Sequence, residues 1–199
     1  MQGTYGKSKL ISWGQTTWRT SREKAGGGIL LDQGIHMVDL LRLFAGEFTD
    51  VHSFVSNRFW QKDVEDNAYA LLRTADGCVA MLHSSATSWR HRFNLHITLS
   101  GGSLTLAGIL SGSKSYGDET LTIAQASHDE SSEPREETKR YAEDPSWAAE
   151  VAEFADAVGN GGAILNGSVD EAYRTMELVY RIYCADAEWQ RQWDLSAAP

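Results

Sequence analysis

Apolar residues alternate with polar ones through the middle of this chain and recur every three or four residues towards its ends, and these two rhythms predict its elements. The clearest alternation sets Phe93, Leu95, Ile97 and Leu99 against Asn94, His96 and Thr98, giving a strand over 92–100 with one dry and one polar face. Runs at 51–59, 67–74, 78–87, 103–107 and 119–126 read as further strands. The segment 9–18, rich in β-branched and aromatic types, reads as a further strand. Ala75-Asp76-Gly77 and Gly101-Gly102 offer the positive φ that tight turns need, which predicts two hairpins. The stretch 78–82 is apolar on both faces and predicts a central strand covered on both sides, by the chain's own helices and by a second subunit.

Helical spacing takes over at 32–45, where Ile35, Val38, Leu41 and Phe44 share a face and Gly46 closes the helix; 21–28 before it reads as a loop. Trp147, Val151, Phe154 and Val158 mark a second helix, stopped by 159–162. The capping-box pair Ser168 and Glu171 opens a third, with Ala172, Met176, Val179, Tyr183 and Ala187 as its apolar face. The sum is an α+β fold, a large mostly antiparallel open sheet with helices packed on one face.

Composition narrows the function. The 199 residues, 42% apolar, form a single domain with one core. No apolar run approaches the ~18 residues of a membrane span, and the N-terminus lacks the layout of a secretory signal, so the expectation is a soluble cytoplasmic protein with no membrane partner. A net charge of −9 argues against nucleic acid. Much of that charge lies in 128–153, nine acidic against three basic residues, which reads as a solvated loop. Cys78 and Cys184, far apart and without CxxC spacing, read as buried thiols. His83, His91 and His96 lie on or beside strands without metal-ligand spacing and read as sheet-surface residues, so no metal is expected. Asn166-Gly167-Ser168 matches a glycosylation acceptor, a reading with little weight where no signal peptide precedes it.

The candidate chemistry lies in GGGILLDQGIHMVD at 26–39. On a helix, Asp32 and His36 project from one face a turn apart, where they can hold a hydroxyl and move its proton. The competing structural readings are an N-cap for Asp32 and a plain surface histidine for His36. Asp39, a turn further on, reads as a structural hydrogen-bonding residue. Trp18 and Arg19 suit a polyol, the ring stacking on carbons and the guanidinium binding hydroxyls; packing of an edge strand is the equal alternative.

The run GGGILLDQGIHMVDLLRLFAG resembles the opening of the C-terminal domain in the Gfo/Idh/MocA family of glucose-fructose oxidoreductase and inositol dehydrogenase relatives. Gly3-Thr4-Tyr5-Gly6-Lys7 resembles the family's turn into that domain, Trp18-Arg19 a Trp-Arg before the triple glycine, and Glu65-Asp66-Asn67-Ala68 its acidic strand opening. The stretches 147–158 and 168–185 resemble its two closing helices. The resemblance implies Asp32 and His36 as catalytic residues, Asp32 orienting the reacting centre and His36 acting as base or hydroxyl partner. It implies a sugar or cyclitol substrate, for which Trp18 and Arg19, by their chemistry, are the candidate binding residues. It also implies NAD or NADP bound by an N-terminal Rossmann domain that 1–199 lacks, and a domain that makes the oligomer; the two-sided apolar character of 78–82 predicts a homo-oligomer through the open sheet face. No GxGxxG fingerprint occurs, so no cofactor is expected on this chain alone, and the family's Glu-Lys-Pro lysine is absent as well. A fragment or split gene product is the natural explanation. The alternative is a stand-alone ligand-binding or protein-interaction module without the chemistry.

Overall fold

The alternating segments become strands because each has an apolar face to turn inward and a polar one to leave open. The computed structural model describes residues 1–8, 18–111, 115–127, 133–164 and 166–197. Its strands are β1 (Gln2–Gly6), β2 (Phe48–Ser56), β3 (Asn67–Thr74), β4 (Val79–Ser85), β5 (Arg92–Leu99), β6 (Gly102–Ala107), β7 (Glu119–Gln125) and β8 (Arg135–Tyr141). They form one sheet in the order β2-β3-β4-β1-β5-β6-β7-β8, antiparallel except for β1 beside β4. The helices are α1 (Arg22–Ala25), α2 (Ile35–Ala45), α3 (Ser146–Asn160), α4 (Val169–Ala185) and α5 (Ala187–Trp193). Both expected hairpins are present, at Gly77 (φ +92°) and at Gly102 (φ +147°), where a Cβ would stand 2.0 Å from the Ala124 carbonyl oxygen.

One core joins the sheet to α2 and α4. Met37, Val38 and Leu41 of α2 and Leu178, Val179 and Ile182 of α4 are buried against Leu72, Ala80, Leu82, Leu95 and Ile97 of the strands. At about 25 cal/mol per Å² of apolar surface, this burial is the main source of stability. The two helices are also stitched by the nearly buried Arg42. It donates to Thr175 Oγ1 at 2.7 Å, Glu47 Oε1 at 2.6 Å and Glu171 Oε2 at 3.0 Å. Thr175 in turn donates to Asp39 at 2.7 Å, the structural bond expected of that carboxylate. Replacing Arg42 with Met should cost about 1–3 kcal/mol in denaturant unfolding, because Thr175 and the Glu171 carbonyl lose a buried partner. The hydrogen bond from Arg42 holds the Glu47 carboxyl below its ordinary 4.5. That contribution is therefore full above pH 4.5 and fades as pH falls through the lowered value. The variant should show a shallower loss of melting temperature on acidification.

Several expectations need correction. Gly3 to Lys7 is not a turn: β1 runs through the middle of the sheet, paired on both sides. The segment 21–28 contains α1. The acidic 128–153 stretch is not all loop, since it contains β8, an edge strand exposed almost throughout, and the start of α3. The 9–17 part of the first expected strand lies outside the described residues, and Trp18 opens a 3₁₀ turn, Trp18–Thr20. Cys78 and Cys184 are free, as read, but half-buried. β4 is central, with Ala80 and Leu82 buried, while Val79 and Met81 on its other face stay half exposed in the single chain. The Ser168 cap forms, accepting from the Glu171 amide, but the buried face of α4 is Thr175, Leu178, Val179, Ile182 and Tyr183, with Ala172 exposed and a separate α5 starting at Ala187. No helix among the described residues is long and apolar enough to cross a membrane.

Candidate functional site

The triple glycine is shaped by a buried acid. Glu65, fully buried in the loop before β3, accepts the Gly28 amide at 2.8 Å and the Leu30 amide at 2.9 Å. It also accepts the Tyr183 hydroxyl at 2.6 Å. A Cβ on Gly28 would stand 2.1 Å from the Glu65 carbonyl oxygen, so only glycine lets the turn come this close. Burial pushes the Glu65 carboxyl above its ordinary range against the pull of these donors, and burial followed by the nearby Glu65 raises the Tyr183 phenol well above its own. Arg22 adds a cation 3.9 Å from Glu65, its guanidinium over the Trp193 ring at 4.6 Å and the Trp189 ring at 5.2 Å.

The turn so anchored delivers Asp32. The expected helix does not begin at Asp32: Leu30–Gly34 forms a π-helical turn, and α2 starts at Ile35. π-turns of this kind often mark functional sites. Asp32 is therefore no N-cap. Its carboxylate, one third exposed, takes Lys7 Nζ at 2.5 Å on Oδ2 and Arg19 Nε at 3.7 Å on Oδ1. Lys7 stands one residue past β1 and is mostly buried. The Arg19 guanidinium lies over the Trp18 ring at 4.5 Å. Trp18, Arg19, Gly27, Gly28 and Asp32 share the lining of a cavity of about 160 Å³. The structure thus brings together three of the four residues expected at the site. A ligand pocket is usually some 300–1,000 Å³, so this one is a partial wall.

His36 is not among the residues that line this cavity. It is exposed, and its ring centroid is 6.3 Å from that of Tyr5. Tyr5 meets Phe93 and Tyr116 edge-on at 5.3 and 5.7 Å, and Tyr116 meets His91 at 4.9 Å. Burial raises the pKa of both Tyr5 and Tyr116, which also share a hydrogen bond, so both phenols stay protonated at neutral pH. Among the described residues, Asp32 is bonded to cations and not to His36.

Sequence reasoning missed Lys7, Tyr5, Tyr116 and Glu65. Lys7 and Asp32 are 25 positions apart, and no spacing rule links a residue after a glycine-flanked strand to a turn that far away. Only the resemblance at 65–68 drew attention to Glu65.

Residues 1–105 match the family model described as the GFO/IDH/MocA C-terminal domain. The chain belongs to this family. A protein of Amycolatopsis mediterranei (strain S699), provisionally named the oxidoreductase subunit of a UDP-kanosamine synthase, is 34% identical over 110 residues, 45% of this chain and 31% of that protein. Among solved structures, one from Desulfitobacterium hafniense, provisionally described as an NADPH-dependent oxidoreductase, superposes with a TM-score of 0.75 at 19% identity, over 96% of this chain and 54% of that one. Levoglucosan dehydrogenase in complex with NADH and levoglucosan superposes with a TM-score of 0.72 at 20% identity, over 94% of this chain and 56% of that one. These likenesses show the fold. The GFO/IDH/MocA chain described here spans about half the length of its solved relatives and about a third of the curated one.

Proposed function

We propose that residues 1–199 are the substrate-binding and oligomer-forming domain of an oxidoreductase that oxidises a hydroxyl of a sugar or cyclitol with NAD or NADP. The observation that carries this reading is Asp32, held between Lys7 and Arg19 at the edge of a Trp18-lined cavity, with His36 on the same turn-and-helix segment. Family membership and sugar-active relatives such as levoglucosan dehydrogenase support it.

In this reading Trp18 stacks on ring carbons and Arg19 donates to substrate hydroxyls. Asp32 accepts from the reacting hydroxyl, its carboxylate fixed in place by Lys7. His36 takes the hydroxyl proton, the general-base role that histidine fills most often. The protonated phenols of Tyr5 and Tyr116 form an adjoining wall of hydrogen-bond donors.

The chain's residues do not fit the dinucleotide itself. The Gly28 amide, which a phosphate cradle would turn outward, is committed to the buried Glu65 carboxylate, and a carboxylate beside a pyrophosphate would repel it. The cofactor belongs to a Rossmann half encoded upstream. Calorimetry on residues 1–199 should therefore show no tight NAD(H) binding, while the parent protein binds it; tight binding by 1–199 would contradict the domain assignment. A parent that binds sugars but oxidises none with either nucleotide would favour the stand-alone ligand-binding module.

The open sheet face suits a second copy. Phe54, Tyr69, Leu71, Val79 and Met81 are 49–79% exposed there. Large apolar patches on soluble proteins mark interfaces. Light scattering at micromolar concentration should give a dimer or larger, and Met81→Glu should shift it towards monomer; a clean wild-type monomer would count against this interface. Two free cysteines fit the reducing cytoplasm as its compartment.

A further inference from the structure

The end of the sheet that carries Asp32 also carries aromatic residues that the proposed chemistry does not use. Gly6 pairs with Ser85 and Arg92, and Asn67 with Ser85 and Ser56, so these strand ends lie side by side. The loops 57–66 and 86–91 therefore leave the sheet beside Lys7, which holds Asp32. They are also bonded together: the Ser88 amide donates to the Lys7 carbonyl at 3.1 Å, and the Ala86 amide to the Asp66 carbonyl at 2.7 Å.

Two large rings stand out from these loops. Phe59 is 52% exposed and Trp89, the residue after Ser88, is 69% exposed, and they meet edge to face at 5.7 Å. Their positions are fixed from within. The buried Asp66 accepts the Phe59 and Trp60 amides on one oxygen, at 2.8 and 2.9 Å. Trp60 donates its indole N–H to the Ala86 carbonyl at 3.0 Å and meets the Phe59 ring edge-on at 5.0 Å, which ties one loop to the other.

We propose that Phe59 and Trp89 form a second subsite for the substrate, a platform on which a flat ring joined to the reacting sugar stacks; this rests on the proposed function in assuming a sugar beside Asp32. Trp18, on the Asp32 cavity, is left for the reacting sugar itself. The substrate is then a glycoside or a nucleotide-linked sugar, its second ring a sugar, an aryl group or a base. An aromatic face takes any of these, because a sugar ring has an apolar face and every base a π-face. A ligand ring suits the platform better than a separate protein does, since two rings offer far less than the ~800 Å² per partner that a stable protein interface buries. Rings already held in place also lose little freedom when a ligand stacks on them.

Calorimetry on residues 1–199 tests this with glucose, maltose, nitrophenyl glucoside and UDP-glucose, on the wild type, Trp89→Ala and Trp89→Phe. At least one of the three extended ligands should bind about tenfold or more tightly than glucose, and the one that does identifies the second ring. Trp89→Ala should erase that advantage, whereas Trp89→Phe, which keeps a ring, should retain most of it. Because Trp89 lies mostly in solvent, both variants should unfold at the wild-type urea concentration, which separates a lost platform from a lost fold. Equal affinity for all four ligands, absence of measurable binding included, would overturn the proposal, and so would an advantage that survives Trp89→Ala. Nucleotide reduction by the full-length protein is followed with the same ligands. A Trp89-dependent advantage in binding without turnover leaves the platform standing and removes the dehydrogenase reading, whereas turnover that is equal for glucose and the extended ligands and unchanged by Trp89→Ala does the reverse.

Discussion

On the proposed function, replacing His36 with alanine in the full-length protein should lower kcat by on the order of a hundredfold or more, with the KM of the proposed sugar substrate changed far less. General-base catalysis contributes about 10²–10⁴-fold, and His36 is the site's exposed imidazole, placed beside the Tyr5 ring and, among the described residues, bonded to no carboxylate. Its removal leaves Trp18, Arg19 and Asp32 on their cavity, so binding should survive. The split between kcat and KM separates a base from a binding residue, which would raise KM at unchanged kcat. Stopped-flow measurement of the chemical step checks it, and unchanged turnover at saturating sugar would remove His36 from the mechanism.

The largest stability effect should come from a residue that touches no substrate. Glu65→Ala strips partners from the Gly28 amide, the Leu30 amide and the Tyr183 hydroxyl in a fully buried setting. At about 1–3 kcal/mol for each buried group left unsatisfied, and allowing for some relaxation, the loss is roughly 3–5 kcal/mol. Set against the ~5–15 kcal/mol of a typical domain, that leaves the fold marginal. Glu65→Gln should recover only part of it, because its amide group must face at least one of the same three donors. Urea unfolding of 1–199 checks both variants, and a loss below about 1 kcal/mol for Glu65→Ala would mean that the glycine turn does not depend on this carboxylate.

Six of the eight strands were legible, the one from 78 because it is apolar on both faces and the others from alternation or strand-type composition; Asn67–Thr74, with its alternating buried and exposed residues, is found where the pattern puts it. The other two hide for opposite reasons. β1 contains two glycines in five residues, which read as a turn although the strand is central. β8, REETKRY, has no apolar face because it is an exposed edge, and charge on an edge strand discourages pairing with other chains. On α3 the helical rhythm was readable, but what its apolar face packs against lies outside local periodicity. The site was half legible. The Asp32 and His36 spacing and the Trp18-Arg19 pair stand out in sequence, whereas the Lys7 ion pair, the π-turn and the Glu65 anchor are tertiary contacts between distant segments.

The role proposed for these residues is the substrate side of a sugar oxidoreductase. The most direct test is reduced-nicotinamide absorbance, with the parent protein, NAD or NADP, and a panel of free sugars, cyclitols and nucleotide-linked sugars. Steady nucleotide reduction is expected with at least one of them, lowered about a hundredfold by His36→Ala. A parent that binds the nucleotide yet reduces it with none, or that turns over equally well without His36, would contradict it.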